Sequence, residues 1–411
     1  MNRSAVMYLS MLTMVVAFVV WSLMSPIAPQ MQKLYHLTGF EKSLLVATPV
    51  LLGSILRVPL GMLTDRFGGR LVYTLLMVYL VIPLWGISTA HSFDSLIFWE
   101  VLLGIAGTSF AVGIGHVSVW YPSEQQGLVL GITALGNIGT AIAVFSIPVL
   151  YLHLGFAMTT RLLVLPVLLM AALLWFFTRD PNPADIRTHA STTATGPVAT
   201  TSGDGAKTVR KEQGFWTSGS LWALAAFYFI TFGGFVAFGN YLPTLLQAQF
   251  QLTPIDAGLR AAGFVVLATA MRPLGGYLAD RLSPYSLLGI AFSVITLSAL
   301  LFAIGLHSMS LTTVAALVCS IMLGIGNGAV FKLVPFYFPF TTGKATGIVG
   351  AIGGIGGFFP PLAMGAIQQS TGSYAGGLLL LAVASLLALL LVGWMNRHWQ
   401  QGMNHAVQAR F

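Results

Sequence analysis

Charge is what this chain has least of. Only 7% of its 411 residues are Asp, Glu, Lys or Arg, while 56% are hydrophobic, and so low a charged fraction excludes an ordinary soluble domain. Acid is scarcer than base, with 11 Asp and Glu against 19 Lys and Arg, so cations buried in the chain cannot all find carboxylates. The single cysteine, Cys319, cannot form an internal disulfide and says nothing about redox compartment. Nowhere does the sequence gather metal-ligand spacing, a nucleophile beside a base, or a phosphate-binding loop. An enzyme is therefore not expected, and neither a cofactor nor a metal.

Long apolar runs are what the chain has in abundance. Stretches able to cross about 30 Å of hydrocarbon as helices of about 20 residues lie near 5–27, 43–62, 71–90, 95–119, 128–151 and 158–178, and again near 218–246, 256–279, 285–306, 311–336, 345–368 and 375–396. The first run is long, lacks a small-residue cleavage site and is followed by another span, so it reads as a membrane helix and not as a secretory signal. Residues 179–216 switch to Ser, Thr, Gly, Pro and charge, the composition of a mobile linker. The prediction is an all-α membrane protein of twelve transmembrane helices, in two pseudo-symmetric six-helix bundles at 1–178 and 217–411, joined by a cytoplasmic linker. That placement puts twelve Lys and Arg on the cytoplasmic side against four on the other, so both termini are expected inside. The net charge of +8 is then a topology signal and no argument for nucleic acid. A compact chain without an evident targeting extension suits a bacterial cytoplasmic (inner) membrane.

The two halves repeat one another. Arg57 and Arg272 lie in apolar surroundings 215 residues apart, each eight residues before an Asp-Arg pair, in RVPLGMLTDR and RPLGGYLADR. GMLTDR at 61–66 matches GYLADR at 276–281 as GxxxDR, and LGNIGTA at 135–141 matches IGGIGGF at 352–358. Parallel repeats of this kind build transporters whose substrate sits near the membrane midplane, between the halves.

An arginine within hydrocarbon is costly and must face the bundle interior, where it needs a partner. Ten of the eleven acids fall in loops or at helix ends, which leaves Glu100 as the one carboxylate within a span against Arg57, Arg272 and Lys332. The excess positive charge points to an anionic substrate. A planar guanidinium with a rigid fork of donors suits a small oxyanion whose acceptors lie in one plane. Two such charges about 6 Å apart would repel by roughly 3 kcal/mol at an effective dielectric of about 20, so closure of an empty site is resisted until an anion binds. Asn137 lies in the middle of a glycine-rich span and offers amide donors without adding charge. Lys332 and His116 are candidate proton carriers, because a buried lysine can lose its proton and histidine titrates near neutrality; Glu100 is either a partner for Lys332 or a third candidate. Asp65, Arg66, Arg70, Asp280 and Arg281 read as gating charges that pair in one conformation and part in the other.

GMLTDRFGGR, at the loop after the second span, resembles the GxxxDRxGRR signature of the major facilitator superfamily, with Gly69 where the family often has Arg. Within that superfamily the chain is similar to the nitrate/nitrite porter family, on Arg57, Arg272, GITALGNIGTA at 131–141 and GIVGAIGGIGGFFPP at 347–361. The resemblance implies a secondary transporter for nitrate or nitrite that works by alternating access, either as proton-coupled nitrate uptake or as nitrate/nitrite exchange. It also implies that Tyr228 and Phe232, four residues apart on one face of the seventh span, flank the anion opposite Phe110. Gly136, Gly139, Gly353, Gly354 and Gly356 are expected to let helices approach closely. A functional monomer in the bilayer is implied too. A carrier of another small inorganic or organic anion, or an anion sensor that transports nothing, remains as an alternative.

Overall fold

A computed structural model describes residues 3–121, 123–180, 215–338 and 342–408. All regular structure among them is helical. The first half comprises α1 (Arg3–Tyr35), α2 (Gly39–Ile55 and Arg57–Phe67, bent by 41°), α3 (Gly69–Ser88), α4 (Phe93–Ser118), α5 (123–154) and α6 (156–177). The second comprises α7 (Gly219–Phe250), α8 (Pro254–Arg281), α9 (Pro284–His307), α10 (Met309–Tyr337), α11 (Thr342–Ile355 and Phe359–Thr371) and α12 (Ala375–Gln408). Helices α5 and α6 run together as one apolar stretch of 49 residues, Val129–Phe177. At 1.5 Å per residue that is far longer than one crossing, and it breaks at Gly155, whose φ of +74° only glycine adopts readily. The result is a twelve-helix membrane fold. Most of the expected linker, 181–214, lies outside the described residues.

Helix ends run past the expected apolar runs because polar caps extend them. Thr38 and Glu41 form a capping box at the start of α2: Glu41 N donates to Thr38 Oγ1 at 3.2 Å and Thr38 N donates to Glu41 Oε2 at 2.7 Å. Thr253 caps α8 through its side chain, accepting from Asp256 N at 3.2 Å and donating to Asp256 Oδ2 at 2.7 Å. These caps are again 215 residues apart, as are His36 and Gln251, the two non-glycine residues with positive φ (53° and 54°), which end α1 and α7. Left-handed backbone is rare outside glycine, so the repeat extends to the backbone itself.

The halves meet along α2 with α11, α5 with α8, and α1 with α7. At the end away from the linker they are tied together. Phe40 N donates to Gln369 Oε1 at 3.0 Å, Gln30 Nε2 to Gln247 Oε1 at 2.8 Å and Gln247 Nε2 to the Pro26 carbonyl at 3.0 Å, while Ser43 and Tyr241 hydroxyls are 3.0 Å apart. Backbones touch there as well: a Cβ on Gly258 would lie 1.9 Å from the Val144 carbonyl oxygen. At the linker end the same four interface helices stand apart. A Cβ on Gly61 of α2, Gly131 of α5, Gly276 of α8 or Gly347 of α11 would meet no atom within 4 Å. Among the described residues the conformation is closed at the far end and open at the linker end.

Candidate substrate site

Both interior arginines sit beside a proline that weakens the local helix. Pro59 has no N–H for the Ile55 carbonyl, and α2 breaks between Ile55 and Arg57. Pro273 follows Arg272 directly inside α8. The bend in α2 turns Arg57 inward, where it is 5% exposed. Its Nε donates to the Gly107 carbonyl in α4 at 3.2 Å and its Nη1 to the Gly350 carbonyl in α11 at 3.3 Å, so it touches both halves.

One ring joins the two arginines. The Arg57 guanidinium carbon is 5.3 Å from the centroid of Phe232, and that of Arg272 is 5.2 Å from the same ring. The two charges are therefore at most about 10.5 Å apart, the sum of those distances. Phe110 lies 5.5 Å from Arg57, and Phe235, a residue not anticipated from sequence, lies 4.3 Å from Arg272. Tyr228 stacks on Phe232 with centroids 4.9 Å apart and planes parallel, and Phe331 of α10 meets Tyr228 edge-on at 4.7 Å. Ring faces attract cations, and here they hold two guanidiniums while leaving donors unused. Arg57 Nη2 and Arg272 Nε and Nη2 are buried with no hydrogen-bond partner. Three guanidinium nitrogens without partners in an aromatic cage are donors of the kind a small anion accepts from.

Glycines set the cage's dimensions. A Cβ on Gly353 would fall 2.1 Å from the Tyr228 ring, and one on Gly354 would fall 2.4 Å from Ser54 Oγ and 3.0 Å from Arg57 Nη1. Gly356 packs on the Phe229 carbonyl, while Gly136 and Gly139 bring α5 against Met14 and Val15 of α1. Asn137, on a short 3-10 turn of α5 packed against α1 and α8, is fully buried with both amide atoms unpaired. It makes no hydrogen bond to either guanidinium. Asn327 of α10 is likewise buried with an unpaired amide, and nothing in its sequence context singled it out.

Three titratable candidates lie elsewhere. Lys332 does not face the arginines and does not pair with Glu100. It is half-exposed and forms an ion pair with Asp280 near the linker end of α8, because two turns of helix separate Asp280 from Arg272 and carry it toward the mouth. His116 is fully buried at the linker end of α4, with Ser10 Oγ 3.1 Å from its Nδ1 and Asp180 Oδ1 3.8 Å from its Nε2. Glu100 is fully buried in α4 with neither carboxyl oxygen paired.

The loop charges also find partners within their own half. Arg70 donates from its backbone N to Asp180 at 3.0 Å and from its side chain to the Trp175 carbonyl, whose ring it covers at 4.2 Å. Asp65 and Arg66 are exposed, with Arg66 over Phe67, and Arg281 lies over Tyr277. Among the described residues none of these charges bridges the halves, as fits a linker end that stands open. No group of three His, Cys, Asp or Glu among the described residues converges as a metal site.

The family model described as Major Facilitator Superfamily matches residues 10–359 and 224–398. The chain belongs to this superfamily. Its relatives place it among the superfamily's nitrate/nitrite porters: it is 42% identical over 399 residues to the nitrite extrusion protein of Bacillus subtilis, covering 96% of this chain and 94% of that one. It is 36% identical over 389 residues to a probable nitrate transporter, NarT, of Staphylococcus epidermidis, covering 95% of each. Among solved structures it is similar to a bacterial homologue of the human lysosomal transporter Spinster in an inward-facing, unoccupied conformation, with a TM-score of 0.71 at 18% identity over 95% of both chains. That likeness shows the fold, and the chain is an integral membrane transporter of the superfamily.

Proposed function

We propose that this protein carries nitrate and nitrite across the bacterial cytoplasmic membrane by alternating access, as a functional monomer with both termini in the cytoplasm. The observation that carries the reading is the pair of guanidiniums on one Phe232 ring, with three of their nitrogens buried and unpaired. A planar trigonal anion lies flat against a ring while its edge oxygens accept from the forks. A tetrahedral anion has no flat face to offer the ring.

Charge also supplies the gate. At a separation of at most about 10.5 Å the empty pair repels by at least about 1.6 kcal/mol at an effective dielectric of about 20. Moving the halves so that the linker end closes presses on that repulsion, and a bound anion cancels it. The names of the relatives, a nitrite extrusion protein and a nitrate transporter, favour nitrate and nitrite over other small anions.

The test is labelled-nitrate uptake into proteoliposomes preloaded with nitrite, for wild type, Arg57→Lys and Arg272→Lys. Uptake by wild type, at least about tenfold reduced in either variant and unaffected by excess sulfate, is the expected result. Lysine variants as active as wild type, or no movement of either anion, would overturn the proposal.

A further inference from the structure

Lys332 and His116 have partners that account for them, at the linker end and away from the cage. Glu100 has none. It is 0% exposed and both of its oxygens are unpaired. Around it α4 packs on the first part of α2, the last part of α3 and the turn Gly104–Thr108. Of these, Gly39–Ile55 carries Glu41, partly buried at the helix start, and Lys42, which is buried but forms no ion pair with Glu100. The last part of α3, Val81–Ser88, and the turn carry no ionisable group, and α4 itself carries Asp94 in its first turn. An ionised carboxylate shut away from water with no donor costs far more than its protonation. In this conformation burial without a donor favours the neutral acid at Glu100.

The next charge toward the linker end is Arg57. Its Nε is bonded to the carbonyl of Gly107, seven residues after Glu100 on the same helix, or about 10 Å along the axis. We propose that Glu100 is a proton-binding site coupled to the anion site, so that proton and anion bind together. When Arg57 is uncompensated its field favours loss of the Glu100 proton. When an anion neutralises Arg57 that field vanishes and the proton is retained. By reciprocity, protonation of Glu100 removes a competing negative charge and strengthens anion binding. Glu100 also lies seven residues from Phe93, the far-end start of α4, so opening of that end brings water toward it while the present closure seals it. A proton taken up at the far side is thereby carried inward with the anion.

The inference rests on the anion reading of the arginine pair, and the test separates the two. Nitrate affinity of the purified protein is measured by calorimetry between about pH 5 and pH 8, for wild type and Glu100→Gln, alongside labelled-nitrate exchange at one pH as the check on folding. Wild-type affinity is expected to fall roughly fivefold or more as pH rises, and Glu100→Gln to hold the low-pH affinity throughout while still exchanging nitrate. A flat wild-type profile, or a variant with the wild-type profile, overturns the role of Glu100 and leaves the arginine site standing. A wild type that binds no nitrate overturns both. Should Glu100→Gln not fold, infrared difference spectra of the wild type decide: a carboxylic-acid carbonyl band that changes on nitrate addition is expected, and its absence refutes the proposal.

Discussion

Replacing Phe232 by leucine asks whether one ring organises both arginines. Each guanidinium lies about 5 Å from its centroid, at 5.3 and 5.2 Å, and a desolvated cation–π contact of this kind contributes on the order of 1–2 kcal/mol. Two contacts give about 2–4 kcal/mol, and loss of the parallel stack on Tyr228 adds roughly 0.5–1.5 kcal/mol. Leucine retains an apolar side chain of fair size, so the packing loss is smaller than the ~3–5 kcal/mol of truncation to alanine. What the ring had offset is the mutual repulsion of the pair, at least about 1.6 kcal/mol. Freed of the ring, the guanidiniums move apart and their donors no longer converge. Nitrate affinity is expected to fall by about tenfold or more, equivalent to about 1.4 kcal/mol, and the anion-free protein to melt at a lower temperature. Phe232→Tyr keeps the ring face and should bind within a few-fold of wild type. Calorimetry and thermal unfolding with and without nitrate read both effects. A folded Phe232→Leu protein with wild-type affinity and melting temperature would refute the shared-ring account.

Three further outcomes follow from the same geometry. Gly276→Leu adds bulk where nothing lies within 4 Å, so nitrate binding in this conformation survives, but the linker end can no longer close and labelled-nitrate exchange should drop at least about tenfold; undiminished exchange would show that α8 does not approach a neighbour there. Gly354→Ala places a methyl 2.4 Å from Ser54 Oγ and 3.0 Å from Arg57 Nη1, so it should weaken nitrate binding, with partial recovery in the double variant carrying Ser54→Gly as the check. Lys332→Ala breaks a half-exposed ion pair with Asp280, for which a stability loss under about 1 kcal/mol and unchanged nitrate affinity are expected; a large loss of affinity would return Lys332 to the substrate path.

How far the sequence could be read depended on whether a feature repeats or contacts. Twelve apolar runs, the linker composition and the 215-residue offset of Arg57 and Arg272 are local patterns that need no partner to be seen. The left-handed ends at His36 and Gln251 keep the same offset, yet neither residue type announces positive φ as glycine does. Lys332 stands within an apolar run that reads as a span, while the partner that accounts for it, Asp280, lies on another helix. Phe235 is one of 27 phenylalanines, marked only by standing three residues after Phe232. The repeat itself could also mislead. It predicts two equal arginines, but not that both share a ring from one half only. At the same offset the counterparts of Tyr228, Phe232 and Phe235 in α1 are Thr13, Ala17 and Val20, all buried. The first half thus contributes small side chains where the second contributes rings. Phe232 has Ala17 as its counterpart, so the ring that both guanidiniums share has no equivalent in the first half, and the symmetry of the scaffold is broken at α1 and α7.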